Sequence, residues 1–123
     1  MRSLTKQLVM HEHLNRRGSL FGGQMMSWMD IAAAIHVYEI TNEQCVTVAV
    51  DRIEFLKPVE LGDLVTFEVA EIDRGTTSIT VSVVAYKSNL EDKMVEVARS
   101  NFKFVAVDEE GKPTSRWNSG YRH

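Results

Sequence analysis

Asp30 is the only carboxylate between Phe21 and Tyr38, a stretch otherwise made of Gly, Gln, Met, Ser, Trp, Ile, Ala, His and Val. An aspartate among apolar neighbours is rarely buried unless it is paired or used. Apolar surroundings also favour the neutral form of a carboxylate, which moves it toward the range useful to a base. Gly22 and Gly23 open the same stretch. Glycine lets a ligand approach the backbone closely. The first N–H groups of a helix have no internal partner, so they can hold an anionic oxygen. Gly23, Ser27, Asp30 and Ala34 are spaced four, three and four residues apart and share one helical face. An oxygen-binding helix start with a carboxylate two turns inside the same helix suits acyl transfer, with Asp30 as general base or nucleophile. The plainer alternative for Asp30 is a solvent-facing carboxylate, or one paired with a distant Arg or Lys. Asn15 has an amide that donates and accepts without charge. It suits either a local turn before Gly18 or the positioning of water or a thioester.

These residues need a helix to carry them, and the segment from Gln24 onward is rich in helix formers. Apolar residues fall on nearly every side, which predicts a buried helix with Met25, Trp28, Met29, Ala32 and Ile35 in the core. The rest of the chain alternates as strands do. Strands are expected from Leu4 to Met10, Cys45 to Phe55, Leu64 to Ile72, Thr77 to Lys87 and Lys93 to Val107. In the second, Val46, Val48 and Val50 should share one face, opposite Thr47, Ala49 and Asp51. Asp73-Arg74-Gly75 predicts a tight turn and an antiparallel hairpin. Turns are also expected at residues 41–44, 59–63, 88–92 and 108–111. One early helix followed by long antiparallel strands is an α+β plan. A curved sheet wrapped around the helix is its simplest cover, and open sheet edges predict pairing with a second copy.

Composition narrows the function. The 123 residues suit one domain, with an irregular tail after about residue 112. A formal net charge of -3 with scattered Lys and Arg argues against nucleic acid as a partner. One cysteine, Cys45, allows no internal disulfide and fits a reducing, cytoplasmic setting. Residues 1–6 hold no apolar segment of a signal peptide, and no run is long enough for a membrane span. No Cys/His cluster or HExxH spacing suggests a metal, and no cofactor is expected. His36, late in the helix, is expected to cap it or to pair with Glu39.

The run His13-x-Asn15-x-x-Gly18-x-x-Phe21-Gly22-Gly23-x-x-Met26-x-Trp28-Met29-Asp30-x-Ala32-Ala33 resembles the signature of the hotdog-fold acyl-CoA thioesterases, of the YciA and cytosolic acyl-CoA hydrolase type. Residues 46–51, 55–59 and 104–108 are also similar to that family, and the likeness runs from Leu8 to about Lys112. The resemblance implies hydrolysis of acyl-CoA to a free acid and coenzyme A, with the substrate carbonyl against Phe21, Gly22 and Gly23. It places Asn15 in the active site, and it implies that Asn15 and Asp30 of one site come from different subunits. Homodimers and trimers of dimers follow from it. It sets the pantetheine arm against the strand after the hairpin, so Arg74, Thr76, Thr77 and Ser78 are candidate coenzyme A contacts, with Lys57 near a phosphate. Two rival readings stand beside it. One is a module that binds acyl-CoA without cleaving it. The other is a hotdog hydroxyacyl dehydratase, in which a histidine such as His13 would be the base; the motif assigns His13 to loop packing instead.

Overall fold

The computed structural model describes residues 2–89 and 94–114. Its helix α1, Gly22–Thr41, is 20 residues long, or about 30 Å. The helix stops where Asn42 turns left-handed at φ 53° and donates its N–H to Tyr38 O at 2.7 Å. Thr41 seals the same end: its hydroxyl donates to Val37 O at 2.7 Å and accepts the Glu43 N–H at 3.1 Å.

The strands are β1 Arg2–Leu8, β2 Cys45–Val50, β3 Glu54–Phe55, β4 Leu64–Arg74, β5 Ser78–Ser88 and β6 Val95–Ala106. They form one antiparallel sheet in the order β1-β4-β5-β6-β2, with β3 also on β6. Val65, Phe67 and Val69 of β4, Ile79, Val81 and Val83 of β5, and Phe102 and Phe104 of β6 make the inner face. Met25, Trp28, Met29, Ala32, Ala33 and Val37 of α1 lie on it. This is the α+β hotdog arrangement, a long helix held against a curved antiparallel sheet.

The helix is not buried all round. Met26, Ile31, Ile35 and Tyr38 are 46, 50, 42 and 60 % exposed, so Ile35 belongs to the open face and not to the core. The reason is geometric: one sheet covers one side of a helix, and the hydrophobic sequence of the other side meets no second layer among the described residues. The small face bearing Gly23, Ser27, Asp30 and Ala34 lies on that open side, with Asp30 half-buried.

The strand expected from Cys45 to Phe55 is two strands, interrupted at residues 51–53. A bulge between Thr47 and Ala49 also breaks its alternation. Cys45 opposes Ala106, Thr47 opposes Phe104 and Val50 opposes Phe102, so Val50 joins Thr47 on the helix side of the sheet, where both stay exposed at its edge. A strict period of two assigned Val50 to the other side, because an inserted residue reverses every position after it. The remaining strand ends lie within two residues of expectation. The hairpin turn falls at residues 75–77, and the expected turn at 88–92 lies partly outside the described residues, as do Lys93 and the tail after Thr114.

His36 neither caps the helix nor sits at its surface. It is 1 % exposed, against the sheet, and its Nε2 has no hydrogen-bond partner. Burial lowers its pKa below the usual 6.5, with the nearby Glu39 and Glu71 carboxylates opposing. The neutral ring is therefore the folded form, and the unfolded chain takes up the proton first. Stability should be complete above about pH 6.5 and fall as pH drops below it. We expect thermal melting between about pH 7 and pH 5 to show this loss, and His36→Leu to flatten that part of the profile. A profile identical in both proteins would place the acid sensitivity elsewhere.

Candidate active site

The start of α1 is open in a chemical sense. Phe21 is its N-cap and makes no side-chain capping bond. The Phe21 N–H donates to His13 O at 2.9 Å, and the Gln24 N–H donates to Phe21 O at 3.0 Å. Neither the Gly22 nor the Gly23 N–H meets an acceptor among the described residues. The positive end of the helix dipole adds to these two donors. Gly23 is half a wall and half a doorway: a Cβ there would fall 2.8 Å from the edge of the Phe21 ring, which is 58 % exposed. A Cβ at Gly22 would face the Phe55 ring at 3.9 Å.

Asp30 is held from the sheet. The Thr47 hydroxyl donates to its Oδ1 at 2.8 Å. No cation pairs with Asp30 among the described residues, so the ion-pair alternative does not hold there. Thr47, which the sequence does not single out, is the residue of the sheet that the structure sets against Asp30. It lay in plain sight as a polar residue inside the Val46-Thr47-Val48 run, but alternation gave no reason to aim it at the helix.

Asn15 is committed locally. Its Oδ1 accepts the N–H of Arg17 at 2.8 Å and of Ser19 at 3.2 Å, and its Nδ2 donates to the Ser19 hydroxyl at 3.2 Å. Gly18, at φ 86°, completes this tight turn. The acceptor oxygen is thus spent on the backbone, and only amide N–H capacity remains for a ligand. His13 packs edge-on against Trp28 at 4.8 Å, and its Nδ1 accepts the Met10 N–H at 2.9 Å. Cys45 is half-buried, and burial pushes its thiol up, away from the thiolate a nucleophile requires.

Two separations matter. Gly23 and Asp30 are seven residues apart, about 10 Å along the axis. Helix N–H groups point away from the helix body, so an oxygen held there is further still from Asp30 of the same chain. Lys57 and the hairpin residues Arg74, Thr76, Thr77 and Ser78 are also far apart. The Lys87 ammonium donates to Pro58 O at 2.8 Å, which fixes Lys57 at the Ser88 end of β5. Ser78 starts that strand, about 30 Å away. Arg74 itself is tied to Glu71 at 2.7 Å.

The fold places this chain among hotdog-fold proteins, and the comparisons with known proteins place it among their hydrolases. Residues 17–93 match the Thioesterase superfamily. The chain is 37 % identical over 112 residues to the acyl-CoA thioester hydrolase YciA of Escherichia coli, covering 88 % of this chain and 85 % of that one. It is similar to the hexameric thioesterase y2039 from Yersinia pestis, with a TM-score of 0.87 and 38 % identity over 92 % of this chain and 93 % of that one. An acyl-CoA hydrolase from Staphylococcus aureus, solved with butyryl coenzyme A, coenzyme A and coenzyme A disulfide, matches with a TM-score of 0.86 and 31 % identity, over 93 % of this chain and 70 % of that one. Forms of that enzyme with an aspartate, an asparagine or a threonine replaced by alanine have also been solved. The chain belongs to the Thioesterase superfamily.

The helix start gives a direct test. Gly23→Val displaces the Phe21 ring and fills the approach to the N–H groups. Circular dichroism should stay close to wild type while thioester hydrolysis falls. Equal activity in the variant would remove the helix start from the mechanism.

Proposed function

We propose that this protein hydrolyses acyl-CoA thioesters to a free acid and coenzyme A. The observation that carries the reading is the Thr47–Asp30 hydrogen bond, which orients one carboxylate oxygen and leaves the other without a protein partner among the described residues. The spacing of the substituted relative supports it. The asparagine, aspartate and threonine replaced in the Staphylococcus aureus enzyme are spaced 15 and 17 residues apart. Asn15, Asp30 and Thr47 have the same spacing.

In this mechanism the thioester carbonyl oxygen accepts hydrogen bonds from the Gly22 and Gly23 N–H groups, under the Phe21 ring. Asp30 takes a proton from water, the water oxygen bonds to the carbonyl carbon, and the carbon–sulfur bond breaks. The proton then passes to the coenzyme A thiolate. A nucleophilic Asp30 would instead form an anhydride with the acyl group, which water then cleaves. The Asn15 amide N–H positions water or the thioester.

One chain cannot bring these groups together, and a two-fold pair can. Gly23 and Asp30 are seven residues apart on one face, and the residues midway, Met26 and Ser27, are exposed. Antiparallel packing of two such helices about a two-fold beside Ser27 sets Gly23 of one chain against the partner subunit's Asp30. The same axis brings the helix start of one chain toward the partner's Arg74, Thr76, Thr77 and Ser78, the candidate coenzyme A contacts, while Lys57 stays beside Gly22 on the other side of the carbonyl. β2 has β6 on one side only, which suits joining two sheets at this edge. Such dimers then assemble as a trimer of dimers.

Asp30→Asn keeps the shape and removes basicity. Turnover should fall by about a hundredfold or more, at an unchanged melting temperature and with acyl-CoA still bound. A protein that binds acyl-CoA and releases no thiol in the wild type would be the non-catalytic module instead. Thr47→Val should lower turnover by about ten- to a hundredfold, with rescue by Thr47→Ser. A stable Asp30→Asn protein with wild-type turnover would sink this mechanism. The shared site has its own check: Gly23→Val and Asp30→Asn chains, mixed and allowed to exchange subunits, should recover activity that neither has alone. No recovery, with exchange shown by mass, would place each site within one chain.

A further inference from the structure

Beside the open helix start lies a cavity of about 320 Å³. Leu20, Met25, Val59 and Val97 form its buried floor, and Phe55, Leu56 and Lys57 its exposed rim. Gly22 belongs both to this lining and to the pair of carbonyl donors. A bulge in β6 builds the floor: Ala85 opposes Ala98 and Tyr86 opposes Glu96, so Val97 is the extra residue. The Val97 carbonyl accepts the Leu56 N–H at 2.7 Å, which holds rim and floor together.

A thioester carbonyl carbon bears two arms, a hydrocarbon chain on one side and the sulfur of pantetheine on the other. Pantetheine carries amides, which cost free energy when buried without hydrogen-bond partners. The floor of this cavity holds no polar side chain. A second cavity of about 450 Å³ opens on the same helical face as Asp30, between Ala34 and Tyr38 of α1 and Cys45 of β2. Asn42, Glu43 and Gln44 line it, so it offers the polar partners that an amide requires.

We infer that the cavity at the helix start takes the acyl chain, that its substrates are acyl-CoAs with an apolar chain of several carbons, and that Met25 and Phe55 set chain preference. This rests on the acyl-CoA hydrolase reading above. Met25, at the floor, meets the far part of the chain. Phe55, at the rim beside Gly22, meets the carbons next to the carbonyl. An acyl group long enough to set a terminal carboxylate among Leu20, Met25, Val59 and Val97, away from Lys57 at the rim, would bury an unpaired charge there and is selected against.

The test is the ratio of kcat/KM for octanoyl-CoA to that for acetyl-CoA, read by thiol release from the full chain. Met25→Phe fills the floor and should lower the ratio by about tenfold or more, the scale of a few methylenes lost from an apolar pocket. Phe55→Asp puts a charge where the chain enters and should lower it in the same direction. Because Phe55 is 54 % exposed, this second variant decides the matter if Met25→Phe fails to fold. An octanoyl-length acyl-CoA with a terminal carboxylate should be hydrolysed more slowly than octanoyl-CoA by the wild type. Ratios unchanged in the folded variants, or equal turnover of the carboxylated substrate, would overturn the cavity assignment and leave the hydrolase reading standing. Absence of thiol release from every acyl-CoA by the wild type would overturn both.

Discussion

The structure turns on one mismatch: a helix apolar on nearly every side has only one sheet to lie on. The side with Trp28, Met29 and Ala33 is buried against β4, β5 and β6, and it holds the fold together. The side with Met26, Ile31, Ile35 and Tyr38 is left in water, where apolar area of this extent marks an interaction surface. In the proposed pair, the surface that would otherwise be a liability becomes the wall of the active site. Gly23 and Asp30 sit on that surface, about 10 Å apart, a distance that no side-chain rotation closes within one chain. Association is then a condition of catalysis as well as a remedy for exposure.

Asp30 has two constraints of different origin. Its backbone is fixed by the helix, and its carboxylate by the Thr47 hydroxyl on β2. A hydroxyl orients a carboxylate without neutralising it, whereas an Arg or Lys would compensate the charge that the proposed mechanism uses. Thr47 is available because it faces inward opposite Phe104, just before the bulge. After the bulge Val50, not another polar residue, returns to the inner face opposite Phe102. The hydroxyl therefore stands between Cys45 and Val50 as the one oxygen that this strand offers to the helix.

Much of this could be read from the chain itself, and the failures have physical causes. The helix, the antiparallel hairpin and the order of the long strands follow from periodicity. The pair Gly22-Gly23 and the lone Asp30 were visible as chemistry because they interrupt an apolar pattern. Periodicity cannot report how many sides of a helix find a neighbour, so Ile35 reads as core although it is 42 % exposed. A period of two carries no signal for a bulge, so Val97 on the cavity floor is not legible, and alternation alone does not say which face of a strand meets the helix, so neither is Thr47 beside Asp30. His36 reads as a cap of the helix end or a partner of Glu39, yet the register of α1 buries it to 1 % exposure. Asn15 shows the opposite case: the motif marks it for the site, while its hydrogen bonds show a side chain largely occupied in shaping its own turn.

An acyl-CoA is long and chemically divided, apolar at one end and polar, then anionic, at the other. A single copy of this fold has the matching features in the wrong places. The apolar cavity and Lys57 lie at the start of α1, while the polar cavity and the hairpin residues lie at its far end, about 30 Å away along β5. In the proposed pair, a two-fold axis near the middle of the helix would reverse one copy against the other, so that each helix start would face the other chain's helix end. The apolar cavity of one subunit and the polar cavity of the other would then flank a single carbonyl position, with the proposed oxygen-binding helix start on one side and the hydroxyl-held carboxylate on the other. On that reading, the separation that keeps these features apart in one chain is the separation that would let two chains hold two substrates at once.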